Sequence, residues 1–423
     1  MRKLLLLFYS FLPFQLAAQW QVVPNAPHTS RFDDVTFIND HKGWMAQGID
    51  LYQTLDGGLS WNKISTLNNN SNPYIRSIEF LNDSVGFYGT LATLQSSASL
   101  YRTTNGGYTW TAINGIPVNA LDGICGIAHW GNLVIAVGTY SSNVPYIYKS
   151  TNAGLTWTNI NLSSIGKGLV DCHVFDNTNY IVSGISSDNK AFIARTSDAG
   201  LTWTKVAEYP TPGFTYVWKM FFLPGGTGFA SVEGHPIIYK TTDYGYNWTE
   251  INIGFSTAIE LGAIGALNDS VIWVGNQYSD GMFGTQDGGQ TWTAYPNFGE
   301  NMDRMAMTDA NHLICVGHTV YRFTGDSIIV PFDSSTVSPH HQVTVRPNPA
   351  DEELTIKMNL YRSTVVLLDL FDEYGNEVKH FLRDTLPFGV TFQTYPISDL
   401  QSGTYFLWFR SNEEHKSIKV VVH

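Results

Sequence analysis

Apolar and polar residues alternate along this chain over short runs, not at helical spacing. Segments such as SIEFLNDSVGFYG (77–89) and LYRTT (100–104) place apolar side chains at alternate positions, and Gly, Asn and Asp separate the runs. A period of two is typical of a strand with one buried face. Runs of this kind continue from Trp20 to about residue 324, so the sequence predicts an all-β fold built of many short strands.

One eight-residue motif occurs six times along these runs. The copies are TLDGGLSW, TTNGGYTW, STNAGLTW, TSDAGLTW, TTDYGYNW and TQDGGQTW, which end at Trp61, Trp110, Trp157, Trp203, Trp248 and Trp292. Successive Trp residues are 44 to 49 residues apart. One motif per period of this length, among short strands, indicates repeats of four strands and hence the blades of a β-propeller.

Each position of the motif has a structural explanation. Its acid or amide can accept hydrogen bonds from the backbone of its own turn, and these residues are Asp56, Asn105, Asn152, Asp198, Asp243 and Asp287. The Gly three residues before each Trp suits a positive φ, and the Trp begins the next strand and buries a large apolar surface between blades. Since the carboxylates lie one blade apart, they do not form a catalytic pair.

The motif resembles the Asp box, S/T-x-D-x-G-x-x-W, of bacterial sialidases, sortilin ectodomains and the family of photosystem II assembly factors. Six evenly spaced copies carry this resemblance, although Asn105 and Asn152 replace the Asp in two of them. The resemblance implies a β-propeller. A sialidase would also need an arginine cluster, but only six Arg lie between residues 20 and 340 and no Arg-Ile-Pro sequence occurs near the first blade.

The two ends of the repeat region predict how the ring closes. After Trp292, the runs DRMAM, HLICVGH and TVYRFT predict three strands without a motif. Residues 20–23 match the strands WNKI, WTAI and WTKV that follow the motifs, so we expect them to supply the fourth strand. Such closure would hide both edges of the ring. The prediction is a seven-bladed propeller over residues 20–325, and a six-bladed ring with irregular ends is the alternative.

The innermost strands carry the candidate chemistry near the axis. In DVTF, SIEF, DCHV, KMFF, AIGA and RMAM, one alternating set is apolar, and the other set contains Asp34, Glu79, Asp171, His173, Lys219 and Arg304. These side chains either neutralise and solvate the channel or form a small polar pocket. Asp34, Glu79 and Asp171 are the candidate acid and base residues of a hydrolase, and His173 and Arg304 are candidate ligand contacts.

A second set of candidates lies on the loops that enter the inner strands. Its aromatic members include Tyr74, Tyr140, Tyr216, Trp218, Tyr278 and Tyr295, and the acids Glu233, Glu260, Asp280 and Glu300 lie on the same loops. Exposed aromatic rings beside carboxylates suit sugar rings or peptide segments. The alternative is that these rings pack the loops against each other.

Composition and charge narrow the classes of partner. The net charge of −12 falls mostly between residues 20 and 340 and argues against nucleic acid, which requires Lys and Arg to neutralise phosphates. The three Cys lie in apolar runs and form no CxxC pair, and no nucleotide or metalloprotease motif occurs. We therefore expect no metal, no cofactor and a monomer.

Targeting signals occupy both ends. Residues 1–19, with Arg2, Lys3 and then LLLLFYSFLPFQLAA, form a predicted secretory signal peptide, and no other long apolar stretch predicts a membrane span. Residues 326–342 are rich in Ser and Pro and are a predicted linker. Strands predicted near 343–346, 353–359, 365–371, 377–382, 390–395, 403–410 and 415–422 indicate a small Ig-like β-sandwich over 343–423.

This last region resembles the C-terminal sorting domain of the type IX secretion system of Bacteroidota. The resemblance rests on Pro347-Asn348-Pro349-Ala350, on Tyr374-Gly375-Asn376, on LQSGTY (400–405) and on the closing KSIKVVV strand. It implies contact with the secretion machinery, passage across the outer membrane, and release or surface attachment. The predicted function is thus a secreted or surface-displayed propeller that binds or scaffolds glycans or proteins. The alternative is a secreted glycoside hydrolase.

Overall fold

The computed structural model describes residues 20–67, 74–91, 99–114, 123–138, 144–213, 215–255, 260–309, 311–324, 342–360, 364–372, 376–386, 389–411 and 415–423. Within these ranges the regular elements are all strands. A helix long and apolar enough to cross a membrane does not occur among them. The predicted signal peptide and residues 326–341 of the predicted linker lie outside the described residues, and Gln342, the last residue of that linker, begins a strand.

Four-stranded antiparallel sheets follow one another from Trp20 to Thr324, and seven occur in the described part of this region. The chain begins with β1 (Trp20–Val22). The first three sheets contain β2 (Asp34–Phe37), β3 (Gly43–Gln47), β4 (Asp50–Thr54) and β5 (Asn62–Thr66); β6 (Tyr74–Phe80), β7 (Gly86–Leu91), β8 (Leu100–Thr103) and β9 (Thr111–Ala112); and β10 (Ile124–Trp130), β11 (Leu133–Gly138), β12 (Tyr146–Ser150) and β13 (Thr158–Asn161).

The next three sheets repeat this arrangement. They contain β14 (Gly168–Val174), β15 (Tyr180–Ile185), β16 (Ala191–Thr196) and β17 (Thr204–Glu208); β18 (Val217–Phe222), β19 (Gly228–Val232), β20 (Ile237–Thr241) and β21 (Thr249–Asn252); and β22 (Leu261–Ala266), β23 (Ile272–Asn276), β24 (Asp280–Thr285) and β25 (Thr293–Glu300). Each sheet is a meander in which consecutive strands pair. The first strand of each sheet contacts that of the next sheet, and β26 (Arg304–Asp309), the first strand of the last sheet, contacts β2, so the first strands surround a common axis.

The seventh sheet joins the two ends of the repeat region. It contains β26 (Arg304–Asp309), β27 (His312–Val316) and β28 (Val320–Thr324), and β1 adds to β28 as the outer strand. The register pairs Trp20 with Phe323 and Val22 with Tyr321. Trp20 packs on Trp273 and Phe323, with ring centroids 5.7 and 5.3 Å apart. β1 is thus the fourth strand of this sheet, as the sequence predicted for residues 20–23.

The repeated motif forms the same turn in all six copies. In TSDAGLTW the Thr196 hydroxyl donates to Asp198 Oδ1 at 2.8 Å and accepts the Gly200 N–H at 3.0 Å. Asp198 Oδ1 also accepts the Thr202 N–H at 2.8 Å. Hydrogen bonds from the Thr202 side chain and backbone, and then from Thr196, lower the pKa of Asp198 to about 2. The motif acids are therefore acceptors committed to their own turns.

Two neighbouring residues of each turn have positive φ, as the predicted Gly position required. They are Ala199 and Gly200 in the fourth sheet, with φ of 62° and 89°. In the fourth sheet a Cβ on Gly200 would lie 2.7 Å from Ile160 of the preceding sheet, so both the φ and the close packing require Gly.

The motif also connects each sheet to its neighbour. Each motif Trp packs against an apolar cluster that includes residues from the preceding sheet. Trp203, for example, packs against the cluster that contains Leu133 and Ile147. A cation on the third strand of one sheet donates to the backbone of the next turn. Arg102 Nε donates to Ala153 O at 2.9 Å, and Lys149 Nζ donates to Ala199 O at 2.8 Å. The turns thus hold neighbouring sheets together by apolar and polar contacts.

The C-terminal region forms two further sheets. One contains β29 (Gln342–Arg346), β30 (Glu353–Leu360) and β33 (Gly389–Pro396), and the other contains β31 (Thr364–Asp372), β32 (Glu377–Leu386), β34 (Gly403–Ser411) and β35 (His415–Val422). All seven strands predicted from the alternation are present. Their inward residues, among them Leu354, Leu368 and Leu407, form one buried core.

Candidate functional site

Arg304 is the centre of an ion cluster at the axis of the repeat region. Its Nε contacts Asp34 Oδ1 at 2.7 Å, and its Nη2 and Nη1 contact the two Asp171 oxygens at 2.9 and 3.1 Å. Backbone N–H groups donate to the same carboxylates, from Ile78 to Asp34 at 2.9 Å and from Met220 to Asp171 at 2.7 Å. First strands of several sheets thereby join around one guanidinium.

A second buried cluster lies next to the first. Arg76 binds Asp33 and also contacts Asp303 Oδ2 at 2.8 Å, while Gln277 Nε2 donates to Asp303 Oδ1 at 2.8 Å. Lys219 Nζ lies 3.6 Å from Asp303. Burial opposes ionisation of Asp303, but the charges of Arg76 and Lys219 outweigh it and lower its pKa to about 2. Burial raises the pKa of Asp33 against the charge of Arg76.

Glu79 and His173 lie further along the axis, toward the end that carries the turns between first and second strands. Glu79 accepts the Thr36 hydroxyl at 2.9 Å and lies 2.7 Å from His129 Nδ1. The His173 ring stacks on Phe222 at 4.6 Å, and burial lowers the pKa of His173 to about 4. Both residues have partners within the fold, and His173 is neutral at physiological pH.

These contacts decide what the axial carboxylates can do. A glycosidase needs two carboxyl groups that flank an open space for the scissile bond, about 5–10 Å apart. Here the Arg304 guanidinium occupies the space between Asp34 and Asp171 and binds both. Both Asp side chains are almost fully buried. The described geometry suits a rigid ion cluster that holds the sheets together better than it suits an acid and base pair.

The opposite end of the axis carries a partly open polar and aromatic surface. We define the loop face by the turns between second and third strands and by the segments that enter the first strands. Arg31 contacts Asp33 at 2.8 Å and lies over the Tyr278 ring at 5.6 Å. Tyr278 is 56% exposed, and the Tyr74 hydroxyl accepts a hydrogen bond from Arg31 at 3.3 Å. Ligands can reach this surface directly.

Two carboxylates lie side by side on the loop face. Glu233, in the turn after β19, and Glu260, just before β22, are paired across an isolated antiparallel bridge. The Glu233 N–H donates to Tyr216 O at 2.9 Å, and the Gln277 N–H donates to Glu260 O at 2.7 Å. Burial raises the pKa of Glu233 to about 7 against a hydrogen bond from Trp218, and the charge of Glu260 adds to the rise.

The sequence candidates separate into three groups in the structure. Tyr74, Tyr216 and Tyr278 lie on the loop face, and Tyr216 stacks on Trp218 with centroids 5.1 Å apart. Trp218 itself is buried at the start of β18, and Tyr295 packs on Trp273 in the core between sheets. Tyr140 lies outside the described residues. Arg304 lies in an ion cluster, and His173 lies beyond it toward the turns between first and second strands. The seven candidate contacts that the structure describes therefore do not line one pocket.

Asp33, Arg76 and Asp303 belong to the axial cluster but were not expected there from the sequence. Asp33 and Asp303 each lie one residue before a first strand, where a period of two does not apply, and Arg76 lies at a register shift between Ile75 and Ser77 in β6. A bulge adds a residue and breaks strict alternation, so the side of the sheet cannot be assigned from parity near the strand start. The adjacent acids at 33 and 34 and the Asp-Arg pair at 303 and 304 were the available signals.

The raised pKa of Glu233 predicts a pH-dependent effect on stability. Because the pKa is about 7 in the folded protein and near 4.5 when unfolded, the folded state binds the proton more tightly, and stability falls as pH rises from about 4.5 to 7. Glu233→Gln, which keeps the side chain neutral, should therefore increase the free energy of unfolding at pH 8 by about 1–3 kcal/mol.

Urea unfolding of both proteins at pH 8 and pH 5 checks this expectation. At pH 5 the two proteins should differ little, since Glu233 is already protonated there. Glu208→Gln, on an exposed outer strand paired with Lys205 at 2.5 Å, is the matched control and should change stability by less than about 0.5 kcal/mol at either pH. Equal stability of wild type and Glu233→Gln at pH 8 would contradict the assigned pKa.

One group of potential metal ligands lies in the C-terminal sheets. Ligand atoms of Asp369, Glu377 and His380 are within 4.8 Å of one another. Asp369 already binds Arg410 and lies 2.5 Å from His380 Nδ1. The guanidinium supplies the charge that a cation would bring, so we assign no metal to this cluster.

Comparison with known families identifies both parts of the chain. The family model of the photosynthesis system II assembly factor YCF48 matches residues 12–294. The model of the secretion system C-terminal sorting domain matches residues 344–423. A comparison with curated protein sequences finds no match. The sorting domain marks the protein for export by type IX secretion to the cell surface or the extracellular space.

Solved structures with similar folds include both binding proteins and enzymes. A YCF48 bound to a D1 peptide is 20% identical, with 73% of this chain and 97% of that chain covered and a TM-score of 0.53. YCF48 from Cyanidioschyzon merolae is 17% identical, with coverage of 74% and 100% and a TM-score of 0.54.

A GH74 xyloglucanase from Xanthomonas campestris is 14% identical, with 81% of this chain and 59% of that chain covered and a TM-score of 0.53. At these identities the likeness concerns the fold, which is that of a β-propeller. The sequence match over most of the chain is more specific, and on that basis the chain belongs to the family of the photosynthesis system II assembly factor YCF48 and carries a secretion system C-terminal sorting domain.

Proposed function

We propose that this protein is a non-enzymatic binding propeller, displayed at the cell surface or released, that holds a protein segment or a glycan on its loop face. Its seven four-stranded sheets are the blades of one closed ring over residues 20–325. Residues 1–19 are a cleaved leader, 326–341 are a linker, and 342–423 are an Ig-like sandwich that contacts the secretion machinery.

The observation that carries this proposal is the contrast between the two ends of the axis. Asp34 and Asp171 are closed in ion pairs with Arg304, whereas on the loop face Tyr278 is 56% exposed and Tyr216 is half-buried. Exposed aromatic side chains supply contact area with little loss of conformational entropy. A family member in complex with a D1 peptide provides a precedent for peptide binding on this type of propeller.

Glycoside hydrolysis is the second candidate, favoured by the fold shared with GH74 enzymes. In that case Asp34, Glu79 and Asp171 would be the residues to supply acid and base. The Arg304 contacts to two of them, and the Thr36 and His129 contacts to Glu79, argue against free carboxyl groups at this position.

Binding and turnover should be measured on the same preparation. We expect the mature protein to bind members of a peptide or glycan array, and Tyr278→Ala combined with Tyr216→Ala to weaken binding at least about tenfold, which is 1.4 kcal/mol. Phe392→Ala, at an exposed aromatic residue of the C-terminal sheets, is the control and should leave binding unchanged.

Hydrolysis would overturn the proposal. If xyloglucan or another polysaccharide is cleaved and Asp34→Asn or Asp171→Asn abolishes the cleavage, the protein is an enzyme. Unfolding curves of both variants are needed as well, because each substitution also alters the ion cluster around Arg304.

A further inference from the structure

The paired carboxylates of the loop face, Glu233 and Glu260, are the feature that the ion clusters leave unexplained. Residues directly opposite each other across an antiparallel bridge have Cβ atoms about 4.5–5.5 Å apart, and like charges at such positions are destabilising. The bridge pairs Glu233 with Glu260 in this way. The fold therefore holds two acids together where a neutral pair would be more stable.

Neither acid forms an ion pair in the described part of the chain, although His235 is within electrostatic range of Glu260. Among the described residues, no Lys, Arg or His nitrogen lies within 4.0 Å of either carboxylate, whereas Asp33, Asp34, Asp171 and Asp303 all have such partners. The charge of Arg76 makes only a minor contribution to the pKa of Glu233, and Arg76 is itself bound to Asp33 and Asp303. A positive charge from outside would complete this pair.

The surroundings of the pair fit a basic side chain. The exposed Tyr278 ring, which the Arg31 guanidinium approaches at 5.6 Å, is within electrostatic range of Glu233, and Tyr216 stacks beside Trp218 next to the same turn. Aromatic rings attract cations through their faces. Gln277, whose N–H binds Glu260 O, is fully buried, and its Oε1 has no hydrogen-bond donor in the described part of the chain. Gln277 therefore fixes the backbone of Glu260 next to the pair.

We infer that Glu233 and Glu260 form a receptor for a basic side chain, lysine or arginine, of a peptide bound to the loop face. The inference rests on the proposed function and adds the chemistry of the partner. The net acidic propeller would attract such a peptide from a distance. Because Glu233 has a raised pKa, a bound cation should favour its ionised form, and affinity should increase from pH 6 to pH 8.

Fluorescence polarisation with labelled nonapeptides tests the inference. The mature protein is titrated against a Gly/Ser peptide with a central Lys-Tyr-Lys, the same peptide with both lysines acetylated, and arginine and citrulline versions. The charged peptides should bind at least about tenfold more tightly than their neutral analogues. Glu233→Gln and Glu260→Gln should each remove most of this preference, and raising the pH should enlarge it in the wild type only.

Glu300→Gln is the matched control, because it removes a charge from the same face at a carboxylate that lies 2.7 Å from His318. It should keep the preference for charged peptides. Equal affinity for lysine and acetyl-lysine peptides, or a preference that survives both Gln substitutions, would overturn the inference while leaving peptide binding intact. If glycans, including chitosan oligomers, bind and no peptide does, the inference fails and the proposed function remains. If nothing binds, both fail.

Discussion

Arg304→Met is expected to lower the free energy of unfolding by about 3–5 kcal/mol, because removal of one partner leaves buried charges without compensation. Asp34 and Asp171 would each lose their ion pair with Arg304 and keep only backbone N–H donors. Urea unfolding followed by tryptophan fluorescence measures the loss. A decrease below about 1 kcal/mol would show that the ion cluster contributes little to the closed ring.

Compensating substitutions separate charge from packing. Arg304→Met combined with Asp34→Asn and Asp171→Asn should recover much of the lost stability, since the three side chains are then neutral and of similar size. The coupling should appear in a mutant cycle, because Arg304 is in direct contact with both acids. Lys205→Met, which breaks the exposed pair with Glu208, is the control and should cost less than about 0.5 kcal/mol.

Trp20→Ala is expected to cost a similar amount, about 3–5 kcal/mol, because it removes a fully packed indole from the core between the last two sheets. The ring lies against Trp273, Phe323 and Phe298. Hydrogen exchange should also become faster in β28, whose outer partner β1 would be weakened. Unfolding in urea and exchange measured by mass spectrometry check the two effects together.

Val22→Ala on the same strand is the control for Trp20→Ala. Val22 is 47% exposed and pairs with Tyr321 through its backbone only. Its substitution should cost less than about 0.5 kcal/mol and leave exchange in β28 unchanged. An equal effect of both substitutions would indicate that strand propensity, and not the indole, controls the closing sheet.

Much of the fold could be predicted because its information is local. The six Trp motifs contain their own acceptor, Gly and apolar anchor, so each turn can be identified without knowledge of its neighbours. The closing strand was predictable for the same reason, since Trp20-Gln-Val-Val has the composition of the strands that follow Trp61 and Trp203. The C-terminal strands lie within a few residues of their predicted bounds, although β31 departs from strict alternation at two register shifts.

The axial site was predicted less well because it depends on contacts between distant residues. Asp34, Asp171 and Arg304 were expected on the channel side, but the sequence does not tell that one guanidinium binds both acids. Arg76 points inward only because a bulge follows Ile75. Glu233 and Glu260 are paired by a bridge between a turn in one sheet and the start of a strand in the next sheet. A contact of this kind leaves no periodic pattern in the sequence.

The outer strand β1 also determines how the propeller would withstand a pulling force. The chain leaves the seventh sheet at Thr324, the end of β28, and continues toward the sorting domain. A tether through that domain would therefore pull on β28. Because β28 lies between β27 and β1, two ladders of hydrogen bonds must break before it detaches, whereas an edge strand would lose only one. The residues nearest the start of the propeller thus reinforce the point where its end would be held.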